Sequence, residues 1–186
     1  DEKQTKKNMQ SMNFKNTWNS KVEELANRRK ANKEEHAINE FQEYLLFKVN
    51  SQTKHAIILG FVHRLEEFKI SKIEYSGNQR LMRYGDSILP LISVSQHLGL
   101  GNRQHEEKKE TISVIVIQKA GALFGLEVDE IIDTLSTDVE ETQGFVKQVG
   151  IFGNLNSPNE IIIIVDPFEL INLVCPQLQP PSDVKI

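Results

Sequence analysis

From Phe41 to Pro176 the chain is a succession of short β-forming runs cut apart by Gly, Asn, Asp or Pro, and this rhythm limits the fold more than any other feature. The pattern predicts strands over Tyr44–Val49, His55–Phe61, Ile73–Tyr75, Arg80–Arg83, Ile88–Ile92, Ser113–Gln118, Leu123–Val128, Val149–Phe152 and Ile161–Val165. Two brief helices interrupt them, Ser93–Leu98 with Gly99 as its C-terminal cap, and Pro167–Val174. The fold class is therefore mainly β, with short accessory helices.

The stretch GLGNRQHEEKKE, residues 99–110, is polar and without periodicity, and it marks a seam between two β-rich halves. Each half holds roughly 55 to 75 residues, a size at which a lone core is marginal, whereas a joined domain of roughly 145 residues buries about 68–70% of its unfolded surface. The halves are expected to share one core, as two small barrels pressed together, with sheet closure removing adhesive strand edges.

Residues 1–40 read as a linker or tail. They hold nine Lys/Arg and seven Asp/Glu and few apolar residues, too few to fill a core. Within them Phe14, Trp18, Val22 and Leu25 recur at helical spacing, which predicts an amphipathic helix from about Phe14 to Lys30 that docks elsewhere on the protein. Arg28, Arg29 and Lys30 are flanked by Glu23, Glu24, Glu34 and Glu35, so no one-signed field exists to draw in nucleic acid. Residues 177–186 read as a C-terminal tail.

Composition excludes several classes. With 26% charged residues and a net charge of −4, the chain fits an ordinary globular protein. A single cysteine, Cys175, allows neither an internal disulfide nor a CxxC site, which points to the cytoplasm. The apolar run Ile161–Val165 is far too short to cross a bilayer, so no membrane insertion is expected. The missing Met at position 1 suggests a fragment or a processed chain.

Reactive constellations are equally sparse. No P-loop or GxGxxG is present, and His36, His55, His63, His97 and His105 form no HxxxH or HExxH, so neither cofactor nor metal is expected. His63 reads as an exposed strand-end residue and His105 as a loop residue. Glu127, Asp129, Glu130 and Asp133 form an acidic cluster. Alternation makes a solvated or partner-facing strand edge the simpler account, and a small β-barrel enzyme using the Asp129/Glu130 region the rival. A generic SH3-like peptide module is a third reading, poorly supplied with aromatic residues for a groove.

The order of segments resembles the CheW-like domain of chemotaxis coupling proteins and of the C-terminal end of CheA-type histidine kinases. The resemblance runs from about Tyr44 to Val174 and rests on YLLFKV, VHRLEEF, IEYSG, YGDSILPLISVSQHLG, SVIVIQ, FGLEVDEIID, GIFG and IIIIVDPFELI in that order. RLEE, IEYSG and the tyrosine before the ILPL strand look more like the kinase regulatory domain than a free-standing coupling protein. The resemblance implies two intertwined five-stranded SH3-like barrels around a shared core. It further implies no catalysis, and partners in a second CheW or CheA CheW-like domain and in the cytoplasmic tip of chemoreceptors.

Two departures from the family pattern bear on function. An Arg-Gly pair commonly precedes the Ile-x-Pro strand, and alignment on Ile88, Leu89 and Pro90 puts Gly85 and Asp86 there. Arg83, on the same strand face by alternation, is placed to substitute in part. The stretch NLNSPN, residues 154–159, is expected to form an enlarged hairpin loop.

Docking without chemistry needs a few partly exposed apolar anchors with a polar rim. Phe124, Val149, Ile151 and Phe152 are the anchors expected on the second barrel. Glu66, Glu67, Arg83 and Tyr84 are the rim or receptor-facing residues expected on the first.

Overall fold

The structure, a computed structural model, describes residues 16, 19, 20, 23, 42–50, 53–101, 109–137 and 148–176. Along the chain run β1 (Gln42–Val49), β2 (Thr53–Ile58), β3 (Val62–Lys69), β4 (Glu74–Ser76), β5 (Gln79–Tyr84), β6 (Ser87–Ser93), α1 (Val94–His97), β7 (Thr111–Lys119), β8 (Ala122–Val128), β9 (Glu130–Thr137), β10 (Ile151–Ser157), β11 (Glu160–Val165) and α2 (Pro167–Val174). Asp166 caps α2, accepting from the N–H groups of Phe168 and Glu169, and Pro167 opens it where no N–H is needed.

The strands form two sheets, in the orders β10-β11-β2-β1-β9 and β3-β7-β8-β6-β5-β4. All neighbours are antiparallel except β2 with β11 and β6 with β8. Each sheet therefore draws strands from both sides of residues 99–110, and the two parallel pairs join early strands to late ones. This is the intertwining that the resemblance implies. The polar stretch is no boundary between barrels, because β6 before it and β7 after it belong to the same sheet. The chain changes sheets between β2 and β3 and again between β8 and β9, where no composition shift marks the crossing.

Three apolar clusters account for the near-continuous hydrophobic runs. The shared core takes Leu45, Phe47, Val49 and Ile57 from the five-stranded sheet and Ile92, Ile115, Ile117, Phe124, Leu126 and Val128 from the six-stranded one, roofed by Leu170 and Ile171 of α2. Alternate residues fill a second cluster inside the six-stranded sheet (Met82, Leu89, Leu91, Ile112, Val114, Val116) and a third inside the five-stranded sheet (Tyr44, Ala56, Leu155, Ile162, Ile164). Strands β1, β7 and β8 are thus buried on both faces, which is why SVIVIQ does not alternate with polar residues, whereas β11 leaves Ile161 63% exposed.

The ladders do not close by backbone pairing among the described residues, and one sheet has six strands where five were expected. Both sheets nevertheless curl. Leu135 of β9 and Leu155 of β10, from opposite edges of the five-stranded sheet, reach one cluster. Tyr84 of β5 touches β3 across the six-stranded sheet.

Strands β3 and β9 were not foreseen. VHRLEEFK carries four charged residues and a histidine on an edge strand, and EIIDTLST spaces its apolar residues as a helix would. The expected loop over NLNSPN is also strand: β10 runs to Ser157, and only Pro158 and Asn159 turn before Glu160 pairs back. Leu155, buried between two asparagines, explains the extension, since a packed side chain outweighs the low β-propensity of Asn. Of the N-terminal helix, Asn16, Asn19, Ser20 and Glu23 are described and helical, whereas Phe14, Trp18, Val22, Leu25, the rest of the linker and the 177–186 tail lie outside the described residues.

Candidate docking surfaces

One end of the five-stranded sheet presents apolar side chains from a turn held on several sides. Val149 is 53% exposed and Phe152 50%, while Ile151 between them is half-buried and packs on the shared core. Gly150 makes this turn possible. Its φ is +84°, and a Cβ there would sit 2.5 Å from Leu170 Cδ2 and 3.2 Å from Leu98 Cδ2. Gly150 N–H donates to Glu169 Oε2 at 2.8 Å, and its carbonyl accepts from Asp166 N–H at 2.9 Å. Gln148 Nε2 donates to the Leu98 carbonyl at 3.1 Å. Two helices thus clamp the turn, so Val149 and Phe152 are held ready for a partner at little further ordering cost.

Phe124 does not belong with them. It is 2% exposed, sits in β8 of the other sheet, and points into the shared core. The alternation of β8 puts Phe124, Leu126 and Val128 on the face that joins the two sheets, so burial of this face removes Phe124 from the docking anchors.

Two of the four rim residues of the six-stranded sheet, Tyr84 and Glu66, meet across its open side. Tyr84 Oη donates to Glu66 Oε1 at 2.9 Å, and its ring lies edge-on to Phe68 with centroids 6.1 Å apart. Strands β3 and β5 are separated by three others in the ladder, so this contact closes the curl by side chains where backbone bonds do not. Desolvation, then the bond to Glu66 and its charge, raise the Tyr84 phenol to about 12 against an opposing pull from Arg64. Arg83, on the opposite face of β5, is exposed and donates from Nε to Glu74 Oε1 at 2.8 Å. Glu67 is exposed on β3. Gly85 and Asp86 are the two turn residues of the β5–β6 hairpin, with Gly85 at φ +58°, a conformation suited to the first position of a tight hairpin turn.

The acidic cluster is dispersed. Glu127 is fully buried, contrary to the solvated edge expected of it, and faces the interior of the six-stranded sheet, where Arg80 Nη1 donates to its Oε2 at 2.6 Å. Asp129 Oδ2 accepts from Asn50 N–H at 2.6 Å, and Glu130 is an exposed partner of Lys48. No cleft gathers these carboxylates, and among the described residues no three His, Cys, Asp or Glu side chains group as metal ligands. His63 is exposed at the start of β3, as expected of a strand-end residue, at a bulge between Val62 and Arg64. His105 lies outside the described residues. His55 is buried beside Phe47, ring centroids 5.7 Å apart, and desolvation lowers its pKa below the ordinary 6.5 despite the nearby Thr53 carbonyl.

Reasoning from sequence missed Arg80, which reads as a surface residue of a strand but reaches past β6 to Glu127. It also missed the clamp residues Gln148 and Glu169. Glu169 carries a legible signal as the acid in the first turn of a helix, but its target is set by the approach of the 148–150 turn. Among the described residues no helix is long and apolar enough to cross a membrane.

Comparison with known proteins agrees with this architecture. The family model described as the CheW-like domain matches residues 43–175. No curated protein matches the chain. A solved structure, the scaffolding protein TtCheW from Thermoanaerobacter tengcongensis, superposes with a TM-score of 0.59 at 18% identity, covering 74% of this chain and 92% of that one, a likeness of fold. With the family pattern spanning both sheets, the helix α2 and the clamped turn, the chain belongs to the CheW-like domain family.

Proposed function

We propose that this chain is the regulatory docking domain of a CheA-type histidine kinase, working in the cytoplasm, which couples chemoreceptors to kinase activity through protein contacts. Membership of the CheW-like family makes it a scaffold domain of chemotaxis signalling, without chemistry of its own. The observation that carries the proposal is the clamped turn at one end of the five-stranded sheet, with Val149 and Phe152 half-exposed on it. This end accepts a second CheW-like domain. Glu66, Glu67, Arg83 and Tyr84 form the surface offered to the receptor tip, with Arg83 standing in for the family arginine.

The kinase reading is favoured over a free-standing CheW-type adaptor by Tyr84 and Glu66. Both fall in the segments that look like the kinase version, and they bond to each other. The coding sequence upstream of Asp1 separates the two: the kinase reading requires an ATP-binding domain there. Docking is tested by Phe152→Asp, which is expected to weaken capture of a cognate CheW-like partner while the circular dichroism spectrum stays native. Equal capture by the folded variant removes the turn from the interface.

A further inference from the structure

Among the described residues the six-stranded sheet ends at β3, whose outward backbone groups meet no further strand in the ladder. One of them, the N–H of Leu65, donates instead to Asn19 Oδ1 at 3.3 Å. Asn19 lies in the N-terminal linker. It is helical with Asn16, Ser20 and Glu23, and Ser20 Oγ donates to the Asn16 carbonyl at 3.1 Å, a bond spanning one helical turn. Asn16, Ser20 and Glu23 are exposed, whereas Asn19 is half-buried. With 3.6 residues per turn, the three exposed residues share one side of a helix.

We propose that the helical residues around Asn19 are an intrachain cover of the β3 edge, bonded to it through Asn19 where a neighbouring strand would bond. The occupant is this chain's own segment, because the hydrogen bond to Leu65 comes from it. While seated, it closes β3 to strand addition by another molecule. Glu66, the next residue of β3, holds Tyr84, so the cover and the side-chain closure of the sheet lie on one strand.

Site-resolved amide exchange on the full chain tests this. Asn19→Ala is expected to speed exchange at Leu65 about two- to tenfold, the range set by one hydrogen bond, with the Val114 and Ile115 amides of β7 unchanged. Asn19→Asp, which keeps an acceptor oxygen, retains the protection. Equal Leu65 rates in the wild type and Asn19→Ala, or a rise shared by β7, would each overturn the proposal. Protection that grows with protein concentration would also overturn it, by assigning the contact to a second copy.

Discussion

Replacing Gly150 by alanine tests whether the docking turn is held by the geometry described above. Two costs add. A residue with a Cβ at φ +84° loses about 1–2 kcal/mol relative to glycine. The new methyl then meets Leu170 Cδ2 at 2.5 Å and Leu98 Cδ2 at 3.2 Å. Leu170 is fully buried and has no open space to swing into, so overpacking adds about 1–3 kcal/mol. Gly150→Ala should therefore destabilise the domain by about 2–5 kcal/mol, which moves a urea midpoint down by ~1–2 M at an ordinary slope. Leu170→Ala alone is expected to cost about 2–5 kcal/mol by opening a cavity. In the double variant the new methyl enters that cavity, so the losses should fall short of additive by about 1–3 kcal/mol. At a temperature where both proteins are folded, Gly150→Ala should also capture less of a CheW-like partner, because Val149 no longer sits on a fixed turn. A stability loss below about 1 kcal/mol, or strict additivity with Leu170→Ala, would refute the packing argument.

Three further outcomes are expected. Arg80→Met strips the guanidinium from the buried Glu127 carboxylate and should destabilise by about 2–4 kcal/mol, whereas Arg80→Met/Glu127→Leu should regain most of it in the same denaturation series. Ultraviolet titration should show the Tyr84 phenol ionising near 12, and Glu66→Gln should bring it down toward 10. Because the folded value lies above the unfolded one, the stabilisation is complete below pH 10 and is lost as pH rises from 10 to 12. His55 has the opposite dependence: its folded pKa lies below the unfolded 6.5, so the unfolded chain binds the proton first and stability should fall as pH drops through 6.5. His55→Leu should flatten that acid limb in denaturation curves between pH 7.5 and 5, and an unchanged slope would assign it to other groups.

Much of the fold was legible because local rules and tertiary packing agree. Pro167–Val174 announces its helix with Asp166 and Pro167, and Gly85 and Gly121 mark hairpin turns that positive φ requires. Val149 and Phe152 were expected to be partly exposed apolar residues, and both are half-exposed. Phe124 was not separable from them, because an aromatic side chain in a strand has the same sequence signature whether it meets a partner domain or a second sheet of its own chain. Glu127 misled for a related reason: a carboxylate next to Asp129 reads as solvated until Arg80, 47 residues away, is seen to reach it.

The sequence by itself determined most strand runs, the accessory helices and the need for the two halves to share apolar surface, since each of these follows from periodicity, turn chemistry or size, while the order of its motifs carried the family resemblance. Which strands share a sheet was decided only by the tertiary structure. Burial on both faces gives β7 and β8 runs without an inward side, so the pattern specifies that they are covered without specifying by what. The parallel pairing of β2 with β11 and of β6 with β8, the clamp on Gly150 and the Tyr84–Glu66 closure arise from contacts between distant segments, whose free energy depends on the packed neighbour and leaves no local mark on the chain.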